Sequence, residues 1–170
     1  MKRPILKLML AAVALALSVW WAGGPSELAA GEHYEGKVER VIDGDTISVL
    51  TTDYERIRIR LYGIDAPEKK QNGGAESSRA LSKLIDGRQV QVEVEDVDRY
   101  NRLVALVTFK GSLINLKLVE DGQAWVYDRY CIRQYVCQKF KEAEKRARQA
   151  GVGLWRDQNA IAPWDYRQNR

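Results

Sequence analysis

Apolar and polar residues alternate over much of the chain beyond residue 30. Ile47 and Val49 alternate with polar neighbours, and Ile57, Ile59 and Leu61 alternate with Arg56, Arg58 and Arg60. This is the period of two expected of strands buried on one face. Residues 37–41, residues 89–95 with Val90, Val92 and Val94 on one side, and the apolar run 103–109 read as three further short strands. Helical spacing takes over elsewhere. Ala80, Leu81, Leu84 and Ile85 predict a helix over 75–85, Leu113, Leu116 and Leu118 or Val119 a second over 112–120, and Phe140, Ala143 and Ala147 a third over 134–150. Asp86-Gly87, Asp121-Gly122 and Gly151 supply the stops.

The resulting order, β-β-β-α-β-β-α-α, predicts an α+β fold: a five-stranded Greek-key barrel of the OB type with about three helices. Its most informative stretch is 41–68. Asp43 and Asp45 precede one strand, and Asp65 and Glu68 follow the next. If these strands pair as an antiparallel hairpin, the four acids meet. Positions 45 and 65 are centred on residue 55, close to a plausible reversal at 51–54, so Asp45 and Asp65 are expected side by side. Two such carboxylates repel, and either one takes a proton or a cation sits between them. Oxygen-only ligands favour a hard cation, Ca2+ or Mg2+. Alone, the D-G-D triplet reads as turn chemistry and D-A-P-E as a capped turn. Their occurrence in order, at a spacing one hairpin can close, raises the functional reading.

Further along, Arg99, Tyr100 and Arg102 sit on the shoulder of the hairpin that joins the last two strands, with Asn101 at its turn. Tyr127 and Tyr130 follow a short aromatic run and serve either base stacking or core packing. Trp155 and Trp164 are expected to cover the barrel or its edge. His33 is the sole histidine and lies outside every motif, which argues against histidine-based acid or base chemistry.

Charge and the first residues add a location. Lys2, Arg3 and Lys7 precede an apolar run of 15 residues, 8–22, which reads as a secretory signal and is short for a membrane span. Residues 1–30 are therefore expected to be a signal peptide, with an uncleaved anchor as the alternative, and residues 31–170 the folded domain. Cleavage fits partly at Leu28-Ala29-Ala30 and partly at Ala29-Ala30-Gly31. In an exported protein, Cys131 and Cys137, the two cysteines of the chain, are expected to form a disulfide. The whole chain carries a net charge of +4, but beyond residue 30 it has 24 basic residues against 22 acids. Basicity is therefore concentrated rather than general: residues 137–170 hold eight Lys or Arg against four acids. A polyanion held over a metal site and a solvated amphipathic helix both account for that segment.

The runs V-I-D-G-D-T, R-L-Y-G-I-D-A-P-E, D-R-Y-N-R and G-V-G-L-W together resemble the staphylococcal nuclease family, in its exported bacterial members, over about residues 34–156. The resemblance implies Ca2+ as cofactor, with Asp45, Asp65 and the backbone carbonyl of Ala66 as ligands and Asp43 as a nearby carboxylate. It implies Glu68 as general base, Arg60 and Arg102 on the scissile phosphate, and Arg99 and Tyr100 on the neighbouring one. Tyr130 aligns with one base-stacking tyrosine of the family. The other position falls at Asp128, one residue from Tyr127. The implied activity is endonucleolytic hydrolysis of DNA and RNA, with little sequence selectivity and products bearing 3′ phosphates. The residue types suit that chemistry, because paired guanidiniums, an oriented water and a cation are what a phosphoryl transition state requires. A monomer without a stable protein partner is expected. The rivals are a non-catalytic OB-fold module that binds nucleic acid and a membrane-tethered adaptor.

Overall fold

Alternating segments become strands that close on themselves in the computed structural model, which describes residues 31–169. Strands β1 (His33–Val41), β2 (Thr46–Thr51), β3 (Arg56–Leu61), β5 (Gln89–Val97) and β6 (Leu103–Phe109) lie in the order β3-β2-β1-β5-β6, and a parallel pairing of β3 with β6 seals the ring. The result is a closed five-stranded barrel of the OB type. Register shifts at Val38/Arg40 in β1 and Val94/Asp96 in β5 provide bulges of the kind that let strands bend around so small a barrel. Val38, Ile47, Val49, Ile59, Val92, Val94, Ala105 and Val107 point inward and are buried, so the period of two in the sequence is the inside and outside of the barrel.

Four helices pack around it: α1 (Gly74–Ile85), α2 (Ile114–Glu120), α3 (Gln134–Ala150) and α4 (Pro163–Gln168). Three match the expected segments. Helix α2 starts at Ile114 rather than 112 because Ser112 and Leu113 form β7, which continues the sheet beside β6. Six-residue α4 has Pro163 in its first turn and is too short to display a helical period. A further two-residue pair, β4 (Ile64–Asp65) with β8 (Trp125–Val126), was equally beyond the reach of periodicity.

One geometric expectation is corrected. The β2–β3 ladder pairs Thr46 with Arg60 and Ile47 with Ile59, so the hairpin is centred on residue 53, not 55. By that register Asp45 faces the end of β3, and its carbonyl accepts the Leu61 N–H at 2.8 Å. Asp65 reaches it because the chain reverses at Gly63 and returns as β4. Gly63 has φ +72°, and a side chain there would stand 2.7 Å from Cys131 Sγ. Glycine is therefore required at that turn on two counts.

The turn is braced from both sides. Asn115, fully buried, accepts the Val107 N–H and donates to the carbonyls of Tyr62 and Ala105. The buried Tyr62 hydroxyl accepts the N–H groups of Ile132 and Arg133 at 2.8 Å each, tying down the loop closed by the Cys131–Cys137 disulfide. Such a short loop contributes roughly 2 kcal/mol on the chain-entropy account. The expected signal segment, residues 1–30, lies outside the described residues. Among the described residues no helix is long and apolar enough to cross a membrane.

Candidate active site

The acids are assembled by two turns at one end of the barrel. Residues 42–45 form a tight reversal in which the Thr46 carbonyl accepts the N–H groups of Ile42 and Asp43. Gly44 lies so close to the second turn that a Cβ there would meet Ala66 Cβ at 2.6 Å and Ser77 Cβ at 2.8 Å. That approach places Asp45 against the backbone of Ala66. Its Oδ2 accepts the Ala66 N–H at 2.6 Å, its Oδ1 accepts the Thr46 hydroxyl at 3.1 Å, and Asp43 Oδ1 accepts the Asp45 N–H at 3.2 Å.

A single guanidinium joins the two buried aspartates. Arg60 Nη1 lies 2.8 Å from Asp45 Oδ2, and Nη2 lies 2.7 Å from Asp65 Oδ1. Burial pushes the Asp45 carboxyl up to about 7; Arg60 and the Ala66 N–H oppose the rise, while the charges of Asp43 and Asp65 add to it.

Glu68 joins this group through a residue that sequence reasoning missed. Arg167, on α4, donates from Nη2 to Asp65 Oδ2 at 2.8 Å and from Nη1 to Glu68 Oε1 at 2.8 Å and Asp65 Oδ1 at 3.4 Å. Burial works to lower the pKa of this guanidinium, but the bonds to Asp65 and Glu68 prevail and raise it. Helix α4 is docked by Trp164, which stacks on Tyr127 at 5.2 Å between ring centroids with planes 9° apart. Gln71 fastens the approach to α4: its Nε2 donates to the Ile161 carbonyl at 2.6 Å, and its Oε1 accepts the Glu68 N–H at 3.1 Å. The basic tail was visible as a charge excess, and Trp164 and Arg167 stand three residues apart, which on a helix is one face. That spacing was the signal available.

The remaining candidates form two further groups. Arg102 is held by Asp98, which accepts from Arg102 Nε at 2.7 Å, from the Arg102 backbone N–H at 3.0 Å and from the Tyr100 N–H at 2.9 Å. Burial raises the Asp98 carboxyl, but these bonds outweigh it and the pKa is lowered. Arg99 Nη2 donates to the Tyr100 hydroxyl at 2.7 Å, and the guanidiniums of Arg99 and Arg102 lie 4.8 and 5.5 Å from the Tyr100 ring centroid. The parallel pairing of Leu103 with Ile59 sets this hairpin beside the strand that carries Arg60. Tyr127, by contrast, is engaged on one face by Trp164 and at its edge by Tyr130, whose centroid is 4.8 Å away. Tyr130 is exposed.

Three carboxylates, Asp45, Asp65 and Glu68, are thus served by two guanidiniums, while Asp43 accepts the Asp45 backbone N–H. Among the described residues no three acidic, histidine or cysteine side chains converge as a metal cage. The donor set nonetheless fits a hard divalent cation. It offers two buried carboxylates within reach of one group, an Asp45 carboxyl pushed toward protonation by burial first and by the charges of Asp43 and Asp65 after it, and the Ala66 peptide against Asp45, with water and substrate left to complete an oxygen shell.

A closed OB barrel with an acid-and-arginine centre at one end is the architectural class. A family model described as staphylococcal nuclease homologue matches residues 58–157. The chain is 37% identical over 132 residues to a Haemophilus influenzae protein named as an uncharacterized endonuclease, covering 78% of this chain and 72% of that one. It is 38% identical over 172 residues to a micrococcal nuclease of Shigella flexneri, covering 96% and 92%. It is 37% identical over 177 residues to Escherichia coli protein ParB, covering 99% and 95%. The chain belongs to the staphylococcal nuclease family, and is an enzyme of the nuclease hydrolase class.

Proposed function

We propose that this protein is an exported, Ca2+-dependent nuclease that hydrolyses the phosphodiester bonds of DNA and RNA with little regard to sequence. The observation that carries the reading is the bridge of Arg60 across Asp45 and Asp65, at 2.8 and 2.7 Å, with Glu68 joined to the same Asp65 through Arg167. Asp45, Asp65 and the Ala66 carbonyl would hold the cation, with Asp43 supporting Asp45 through its backbone N–H. When bound, the cation supplies charge neutralisation at a phosphate oxygen.

The side chains supply the rest. Glu68 accepts the proton of the attacking water as the new P–O bond forms and the bond to the 5′ oxygen breaks; the 5′ oxygen takes a proton from solvent and leaves as a hydroxyl, and a 3′ phosphate remains. Arg60 and Arg102 donate to the equatorial phosphate oxygens, where paired guanidiniums match the developing charge. Arg102 commits Nε and Nη2 to Asp98, an arrangement that fixes its rotamer ahead of substrate. Arg99 and Tyr100 meet the adjacent phosphate, and the exposed Tyr130 offers a ring to a base, with Tyr127 behind it. These contacts address the sugar-phosphate backbone, which is why weak sequence selectivity is expected.

The test is digestion of plasmid DNA and of RNA by the purified protein with Ca2+ and with chelator. Cleavage of both substrates with Ca2+, abolished by chelator, is the expected result. Undiminished cleavage in chelator overturns the metal assignment, and binding without cleavage in Ca2+ favours the non-catalytic module. Fractionation of cells, with the protein expected outside the cytoplasm in soluble form, tests export and separates it from an anchored state.

A further inference from the structure

Arg167 occupies the two carboxylates that the proposed reaction needs unencumbered. Asp65 Oδ2 accepts Arg167 Nη2 at 2.8 Å; Asp65 Oδ1 is shared between Arg60 Nη2 at 2.7 Å and Arg167 Nη1 at 3.4 Å; Glu68 Oε1 accepts Arg167 Nη1 at 2.8 Å. While those bonds last, Glu68 Oε1 is engaged by a cation and less able to accept a proton. A divalent cation ligated by Asp65 would stand a few ångströms from a guanidinium on the same carboxylate, and like charges that close in a partly buried site repel strongly. One of them must leave.

The two arginines differ in which can. Arg60 belongs to β3 inside the barrel ladder, and its side chain is 15% exposed. Arg167 belongs to a six-residue helix near the end of the chain, and its side chain is 39% exposed. Among the contacts that hold α4 and the segment before it are the Trp164–Tyr127 stack and the Gln71–Ile161 bond, neither of which involves an acid of the centre.

We propose that Arg167 is the resident counter-ion of the acidic cage, competing with the divalent cation for Asp65, so that cation binding frees Asp65 and Glu68 together. This rests on the calcium reading above and deepens it: Arg167 sets the affinity for the metal, and Glu68 stays occupied until the metal arrives. By linkage, the factor by which Arg167 weakens the metal is the factor by which the metal weakens Arg167 docking.

The measurement is calorimetric titration of Ca2+ into the full chain without substrate, for the parent protein, Arg167→Gln and Trp164→Ala. Arg167→Gln removes the competing charge, and Trp164→Ala loosens α4 while leaving every acid and arginine in place. Arg167→Gln is expected to bind Ca2+ about 5- to 150-fold more tightly than the parent, the usual span of such couplings. Trp164→Ala should shift the affinity in the same direction by less. Equal or weaker Ca2+ binding by Arg167→Gln overturns the proposal while leaving the calcium reading intact. Absence of Ca2+ binding in all three proteins overturns the calcium reading, and this inference with it.

Discussion

Arg60 and Arg167 grip the same carboxylate from opposite kinds of support. Arg60 projects from a barrel strand paired on both sides, to β2 and to β6, and reaches two aspartates that are themselves buried. Arg167 reaches Asp65 and Glu68 from a six-residue helix whose Trp164 stacks on Tyr127. The chemistry is alike and the mechanics are not. A buried guanidinium serves as a framework, whose loss strands charge in the interior, whereas a half-exposed one can be exchanged for another cation at little cost.

The largest effects on activity belong to the groups placed on the reacting water and phosphate, Arg60 among them. Glu68→Ala and Arg102→Ala are each expected to lower kcat by about 10³-fold or more, since each removes a group placed on the reacting water or phosphate. Neither side chain fills the barrel interior, so both variants should fold, with Arg102→Ala giving up the modest stability of its Asp98 pair. Parent-like rates from both purified variants would remove these residues from the chemistry. An intermediate loss confined to KM would recast Arg102 as a binding residue only.

The framework arginine comes next. Arg60→Ala leaves Asp45 and Asp65 buried without their shared partner, and about 3–5 kcal/mol of stability should go with it at pH 8 in chelator. Urea denaturation reads this directly. Added Ca2+ should restore part of the loss, because a cation bound to the folded state alone stabilises it by mass action. A cost below about 1 kcal/mol would show that Asp45 and Asp65 hold each other by sharing a proton instead.

Much of that framework was legible in the sequence, for a physical reason. Strands buried on one face write a period of two, so Arg56, Arg58 and Arg60 announced their outward face and the apolar partners their inward one. The D-G-D and D-A-P-E turns announced where the acids lie. How the acids meet was not legible. A centre at 55 assumes one uninterrupted hairpin, but the ladder is centred on 53 and Asp65 returns to Asp45 only through the left-handed turn at Gly63. Arg167 was hidden more deeply, because six residues carry less than two helical turns and leave the single spacing of Trp164 and Arg167 as their signal. Trp164 was expected to cover the barrel or its edge and in fact covers Tyr127, one of the rings considered for base stacking.

The buried aspartate also sets a pH dependence. Asp45 ionises near pH 7 in the folded protein against 3.8 for an ordinary aspartate. Between those values the folded state holds a proton that the unfolded state has released. The Asp45 contribution to stability is therefore fully present below about pH 4 and is lost as pH rises toward 7. The groups that face it are Arg60, Asp43, Asp65, the Ala66 N–H and the Thr46 hydroxyl. Asp98 acts in the opposite sense and in a lower window: its carboxyl is lowered, so its contribution is lost only as pH falls below the ordinary carboxylate range. In chelator, the urea midpoint should thus fall between pH 5 and pH 8, and Asp45→Asn should flatten that slope. A midpoint that rises over this interval, or a slope unchanged in Asp45→Asn, would show that Asp45 is ionised throughout.

The smallest effect is the one that completes the contrast between the two arginines. Arg167→Ala removes three hydrogen bonds at one stroke, as many polar links as Arg60 makes to its two acids and the Leu61 carbonyl. Counted by bonds alone, the two losses would be alike. Exposure separates them: water can take the place of a half-exposed guanidinium on Glu68, and Asp65 keeps Arg60 in either case. Arg167→Ala should therefore cost no more than about 1 kcal/mol in urea denaturation, the range of a surface ion pair. Raising salt to 1 M should erase most of that difference, because screening reaches exposed pairs first. A loss on the scale of Arg60→Ala, insensitive to salt, would make α4 part of the framework rather than its releasable counter-charge, and Arg167 could then not yield its place to a metal.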